Sequence, residues 1–315
     1  DLDLVRRELG IAEWTLYGVS YGTRVAQHYL RRYGEHVRAV ILDGVLPPEL
    51  DLGPEIAEYA QRTLDDVFSR CAADRDCAGR FPDLEGALNS LFDQLDSEPL
   101  VLTMPDPLTG ATSTHTMTTR HLQAVLRLMS YSPDMAALLP LLISEADAGR
   151  FAPLVAQSQM IIGEVEQSIS FPMHNSVVCT EDVAAFDEQP LESPTESYLG
   201  TVIVDALRTV CTAWPAGIID DDLKSPLSST TPVLLLSGEY DPITPPEYGE
   251  AVLENLSNAR HLVGPGQGHV LAPVGCVRNI MREFLDELDP EGLPANCLDR
   301  ESHAPFFLDF TGPAP

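Results

Sequence analysis

Gly18-Val19-Ser20-Tyr21-Gly22 follows the run Trp14-Thr15-Leu16-Tyr17 and leads into Val25, Ala26, Tyr29, Leu30 and Tyr33, whose spacing is that of a helix. In a G-x-S-x-G elbow a strand turns sharply into a helix. The serine is held in a strained conformation with its hydroxyl exposed, and the flanking glycines let the two backbones approach. Ser20 is therefore a candidate nucleophile. A pentapeptide of this form arises by chance about 0.1 times in a chain this long, so its setting must carry the argument. The strand before it and the helix after it are that setting, because a helix N-terminus lends partial positive charge and N–H groups to the site.

Working outward, Leu2, Val5 and Leu9 repeat at helical spacing and Gly10 is a natural stop, so residues 1–10 read as the end of a helix. Strand 14–19 and the elbow helix follow. Ala39-Val40-Ile41-Leu42 is then a short apolar run of the kind expected for a parallel strand covered on both faces. Between about 50 and 225 the pattern turns mostly helical. Leu84-Leu88-Leu91-Leu95, Leu122-Val125-Leu126-Met129 and Leu138-Leu139-Leu142-Ile143 each lay apolar side chains on one face. Residues 100–104 and 113–117 read as a small hairpin. Sheet grammar returns at Val233-Leu234-Leu235-Leu236, with a helix around 246–256, a strand near 260–263, a last helix carrying Val277, Met281 and Phe284, and a Pro-rich irregular tail from Glu291. The predicted architecture is a parallel α/β sheet split by a mainly helical lid: residues 1–49 and 226–315 form the core, and 50–225 the insertion.

A serine nucleophile needs a base to take its proton and an acid to orient that base. Asp241 follows strand 233–237 in Gly238-Glu239-Tyr240-Asp241-Pro242, at the strand end where open α/β sheets meet ligands. His269 follows the next strand in Gly264-Pro265-Gly266-Gln267-Gly268-His269. Asp-Pro is also a common turn starter, and Gly-rich loops often carry surface histidines. The order Ser20, Asp241, His269 at successive strand ends decides for the catalytic reading. His28, His36, His115, His121 and His303 read as structural or exposed, His261 as core, and His174 as a residue of the lid interior. Glu239 reads as a solvated loop residue or as one that steers its loop.

The 315 residues are 44% hydrophobic, enough for one large domain with an insertion, and the net charge is −29. This acidity speaks against nucleic-acid and anionic-membrane partners; runs such as Asp220-Asp221-Asp222 read as exposed loop charges. No apolar stretch approaches the ~18 residues of a membrane span. Cysteines stand at 71, 77, 179, 211, 276 and 297, without the C-x-x-C pairs or nearby histidines that zinc would call for. Six cysteines allow fifteen pairings. The expectation is sequential pairing, Cys71 with Cys77, Cys179 with Cys211 and Cys276 with Cys297, each closing a plausible loop in an oxidising compartment; six buried thiols in a cytosolic enzyme is the alternative.

Gly18-Val-Ser-Tyr-Gly-Thr-Arg24, Ile41-Leu-Asp-Gly-Val45, Ser237-Gly-Glu-Tyr-Asp-Pro-Ile-Thr-Pro245 and Gly266-Gln-Gly-His269 together resemble the secreted tripeptidyl and prolyl aminopeptidase family of α/β-hydrolases. The resemblance extends to Cys71-Ala-Ala-Asp-Arg-Asp-Cys77, Val177-Val-Cys-Thr-Glu-Asp182, Cys211-Thr-Ala-Trp-Pro215 and the last cysteine pair, which favour the tripeptidyl-aminopeptidase-like branch. It implies a Ser20-Asp241-His269 triad, hydrolysis near a peptide's free N-terminus through an acyl-enzyme, no cofactor or metal, and a secreted or periplasmic location. One oxyanion donor would be the N–H of Tyr21. Acidic lid residues would receive the substrate ammonium, and Glu181 and Asp182 are the candidates; the alternative is that they simply begin a helix. Family members carry strands and a Gly-rich oxyanion turn upstream of the elbow, so this sequence reads as N-terminally incomplete, and strand 14–19 as an exposed edge. A carboxylesterase with the same triad and a catalytically inactive binding protein are the competing readings. Preferred residue and oligomeric state are not legible.

Overall fold

The computed structural model describes residues 1–106, 109–186 and 197–313. They form two compact units, one within residues 1–51 and 218–303, the other within residues 52–217 and 304–313.

The chain begins the first unit with helix α1 (Leu2–Glu8), strand β1 (Trp14–Val19), helix α2 (Tyr21–Tyr33) and strand β2 (Val37–Asp43). It then builds the second from α3 (Ile56–Ala73), α4 (Arg75–Arg80), α5 (Leu84–Ser97), the hairpin β3 (Leu100–Pro105) and β4 (Thr112–Met117), α6 (Thr119–Met129), α7 (Pro133–Ala136), α8 (Leu139–Asp147), α9 (Ala152–Ser168), α10 (Phe171–Glu181) and α11 (Val202–Cys211). It returns to the first with β5 (Val233–Gly238), α12 (Pro246–Leu253), β6 (Ala259–Gly264) and α13 (Val277–Glu287). The short strands β7 (Phe307–Asp309) and β8 (Gly312–Pro313) close the second unit.

Strands β1, β2, β5 and β6 make one parallel sheet in that order. Strand β5 is buried throughout and β2 almost so, as continuous apolar runs require when both sheet faces are covered. Side chains alternate between two cores. Val40, Leu42, Val233 and Leu235 pack with Ala26 and Leu30 of α2 and Val252 of α12. Ala39, Ile41, Leu234 and Leu236 pack with Val277, Ile280 and Phe284 of α13. Strand β1 ends the sheet with Thr15 and Tyr17 exposed.

In the helical unit the stripe Leu84, Leu88, Leu91 and Leu95 is buried against Leu122, Leu126 and Leu142, so the expected faces do meet. The disulfides are Cys71–Cys77, Cys179–Cys211 and Cys276–Cys297. The first joins α3 to α4, where the Asp74 carboxylate accepts the N–H groups of Asp76 and Cys77 at 2.9 Å. Among the described residues no helix is long and apolar enough to cross a membrane.

Two local expectations change. The tail is not irregular throughout: Phe306 buries against the helical core and the β7–β8 hairpin follows, because the apolar pair Phe306-Phe307 has a surface to cover. Asp220 and Asp222 are not merely solvated, since Asp222 meets Arg32 Nη1 at 3.0 Å and Asp220 meets His28 Nε2 at 2.9 Å. His28, Asp220 and Asp222 cluster within ligand distance of one another, but Arg32 already supplies positive charge to both aspartates.

His261 on β6 lies 2.9 Å from Ser237 Oγ on β5, and burial pushes its imidazole down to about 4. A histidine held neutral in the folded state stabilises fully above its unfolded value of about 6.5 and loses that contribution as pH falls through about 4. The melting temperature should therefore drop across that window. His261→Gln should flatten the drop when melting is followed against pH.

Candidate active site

Register brings the ends of the four strands to one edge of the sheet. Val19 pairs with Asp43, Asp43 with Leu236, and Gly238 with Gly264, so the segments that follow β1, β5 and β6 leave from the same side. Ser20, Asp241 and His269 lie on those three segments.

Ser20 is the N-cap of α2 with φ 53° and ψ −124°, a conformation that costs a non-glycine residue about 1–3 kcal/mol. The close turn explains Gly18, where a Cβ would stand 2.5 Å from the Gly22 carbonyl oxygen; a Cβ on Gly22 itself would meet open space. Only the first glycine of the motif is thus demanded by packing. Main-chain bonds hold the strained serine. Its N–H donates to the Asp43 carbonyl at 2.9 Å, and its own carbonyl accepts the Thr23 N–H at 2.9 Å and hydroxyl at 2.7 Å. Thr23 is fully buried and its hydroxyl oxygen accepts the Leu46 N–H at 2.9 Å. Tyr21 opens the helix, so its N–H belongs to the first turn, where no intrahelical carbonyl is in reach.

Asp241 is buried. Its Oδ1 accepts the N–H groups of Ile243 at 3.0 Å and Thr244 at 2.9 Å, and its Oδ2 accepts the Thr244 hydroxyl at 2.7 Å and faces His269 Nδ1 at 2.7 Å. A carboxylate only accepts, so Nδ1 carries a proton and Nε2 is left to accept one. The Thr244 oxygen also lies 3.1 Å from Nδ1, which places it between acid and base.

The loop of His269 is held at several points. Glu239 does not stand free in solvent: its Oε2 accepts the Gly266 N–H at 2.8 Å, which favours the steering reading. The Tyr240 N–H donates to the Gln267 carbonyl at 2.9 Å, and the Tyr240 ring packs 4.6 Å from that of His303. Val270, next to His269, has φ 73°, an outlier for a β-branched residue. Beyond it, Asp43 accepts the Leu271 N–H at 2.7 Å on Oδ1 and, on Oδ2, the Ala272 N–H at 2.9 Å and the Tyr17 hydroxyl at 3.0 Å. Burial holds the Asp43 carboxyl above the ordinary range despite these donors. Burial and the neighbouring Asp43 charge raise the Tyr17 phenol as well.

The structure therefore brings Asp241 and His269 into contact and ties Ser20 by its main chain to Asp43. Glu181 ends α10, whereas Asp182 follows it and caps the start of a short 3-10 helix, Val183–Ala185; Asp182 is buried with Oδ1 accepting the Leu52 N–H at 3.1 Å. A cavity of about 630 Å³ within the helical unit, bounded by Gln61, Phe68, Phe92 and Tyr198 among others, has none of the predicted site residues in its walls.

Thr244 and Asp43 are the site residues that residue-by-residue reading left without a role. Thr244 had a signal, since a threonine three residues after an aspartate at a turn commonly closes it by side-chain bonding. Asp43 had a fainter one: a carboxylate ending a strand whose other residues are nearly all buried. Thr244→Val should lower kcat about tenfold with little change in KM, because one donor to Asp241 is lost while its two N–H donors remain. Steady-state kinetics on a short peptide would check this.

A parallel sheet with a serine elbow after β1, an acid after β5 and a histidine after β6 has the layout of an α/β-hydrolase. Residues 1–155 match the family model described as alpha/beta hydrolase fold, and residues 196–297 match the one described as TAP-like protein. The chain has the α/β-hydrolase fold, and its C-terminal part is similar to TAP-like proteins. It is 28% identical over 321 residues to proteins named serine protease Hip1 from Mycobacterium tuberculosis and Mycobacterium bovis. The alignment covers 90% of this chain and 58% of those proteins, so the chain spans little more than half their length. Similar solved structures include an α/β-hydrolase, MGS-M2, from a deep-sea metagenome library, with TM-score 0.37, 12% identity and coverage of 90% of this chain and 66% of that one. Another is the naproxen esterase of Bacillus subtilis, with TM-score 0.38, 15% identity and coverage of 90% and 64%.

Proposed function

We propose that the protein is a serine exopeptidase that removes one or a few residues from peptide N-termini through an acyl-enzyme on Ser20. The observation that carries this reading is the 2.7 Å bond between the buried Asp241 and His269 Nδ1, on segments leaving the same sheet edge as the strained elbow. His269 Nε2 takes the Ser20 hydroxyl proton as Oγ attacks the scissile carbonyl. The N–H of Tyr21 donates to the developing oxyanion. His269 then protonates the leaving amine, and a water activated by the same nitrogen releases the acyl group.

The substrate is a peptide with a free N-terminus, and Glu181 is the residue proposed to receive its ammonium. The buried Asp182 supports that position through its bond to Leu52. Three disulfides support a secreted or periplasmic protein. The serine protease relatives support proteolysis over ester hydrolysis.

The test is a comparison of free and N-acylated peptides on a protein whose Ser20 is labelled by a fluorophosphonate. A charge-assisted bond to the ammonium predicts a preference of about 10- to 100-fold for the free terminus. Glu181→Gln should remove it by raising KM. Equal turnover of both peptides would overturn the exopeptidase reading and leave a general serine hydrolase.

A further inference from the structure

We infer that Asp43 is a positioning residue that fastens the base-bearing loop to the nucleophile elbow. The inference rests on the serine-hydrolase reading of Ser20 and His269, and adds to it a second carboxylate beyond Asp241.

Asp43 ends β2 and works in two directions. Through its main chain it accepts the Ser20 N–H at 2.9 Å. Through its side chain it accepts the N–H groups of Leu271 and Ala272, the second and third residues after His269, at 2.7 and 2.9 Å. One rigid residue in the interior of the sheet thus touches both catalytic segments. The next residue, Gly44, has φ +68°, and a Cβ there would stand 2.8 Å from His269 Cε1, so the main chain at 43–44 passes directly against the imidazole.

The loop needs such a clamp. Val270 sits between His269 and the two anchored amides at φ 73°, a conformation that a β-branched residue leaves when nothing enforces it. Two charge-assisted bonds from a fully buried carboxylate enforce it. The carboxylate also acts on His269 through space, since the two attract one another when the imidazole is protonated. His269 thus lies against Asp241 and the main chain at Gly44, and the Tyr17 phenol donates to the same Asp43 oxygen as the Ala272 N–H.

Asp43→Asn in the full chain tests the assignment. Asparagine keeps the shape but turns one acceptor into a donor facing an N–H, so the Leu271 and Ala272 amides should exchange with solvent at least tenfold faster. The Ile243 and Thr244 amides, which are held by Asp241, should exchange as before. Fluorophosphonate labelling of Ser20 should slow at least tenfold. Tyr17→Phe, at a half-exposed position, removes one donor from Asp43 and should slow labelling several-fold; it carries the test if the asparagine variant does not fold. Unchanged exchange at Leu271 and Ala272, or unchanged labelling in both variants, would overturn the proposal. A parent protein that never labels at Ser20 would overturn the hydrolase reading instead, and the exchange rates would still decide whether Asp43 holds the loop.

Discussion

Ser20→Ala should lower kcat/KM by at least about 10⁴-fold while leaving the melting temperature nearly unchanged. The size follows from the proposed role of Ser20 Oγ as the atom that forms the acyl bond. What remains is binding and the Tyr21 N–H, which in comparable sites keep a residual advantage over water. Stability should hold because the Ser20 side chain makes no cap hydrogen bond to α2. The bonds that hold the elbow run through its main chain to Asp43 and Thr23, and alanine keeps them. Intact mass after fluorophosphonate treatment and kinetics on a peptide substrate would check the result. A variant retaining more than about a tenth of the parent activity would mean that another nucleophile acts.

Asp241→Asn should cost about 10³- to 10⁴-fold in kcat. Oδ1 of the asparagine can still accept from Ile243 and Thr244, at 3.0 and 2.9 Å in the parent, so the turn survives. The amide nitrogen then stands where Oδ2 stood, 2.7 Å from His269 Nδ1 and 2.7 Å from the Thr244 hydroxyl. A donor in that place favours the tautomer with its proton on Nε2. That imidazole cannot take the serine proton. KM should change little, because Asp241 is buried behind the histidine. Thr244→Val leaves both N–H donors to Asp241 in place and should cost far less, so the ranking of the two variants separates the charge of the acid from its positioning.

Much of the fold was legible because its signals are local. An apolar run buried on both faces reads as a strand of a covered parallel sheet, and β2 and β5 show that burial. The leucine stripe of α5 repeats at helical spacing, and its residues are buried together. The tail after Glu291 was not legible, because Phe306 and Phe307 gain their structure from the helical core they cover rather than from any period of their own.

The site divides in the same way. A strained serine elbow, an acid after one strand and a histidine after the next are each punctuated by glycine or proline, and their order along the chain was enough to nominate Ser20, Asp241 and His269. Which groups hold them was decided only by the folded sheet. Asp43 and Leu271 stand 228 residues apart in sequence, as do Ser20 and the histidine loop to a similar degree, and their bonds exist because parallel register brings the strand ends level. Periodicity reports what a residue's neighbours along the chain allow. The partners of a buried carboxylate are set by strand order, which the local pattern does not encode.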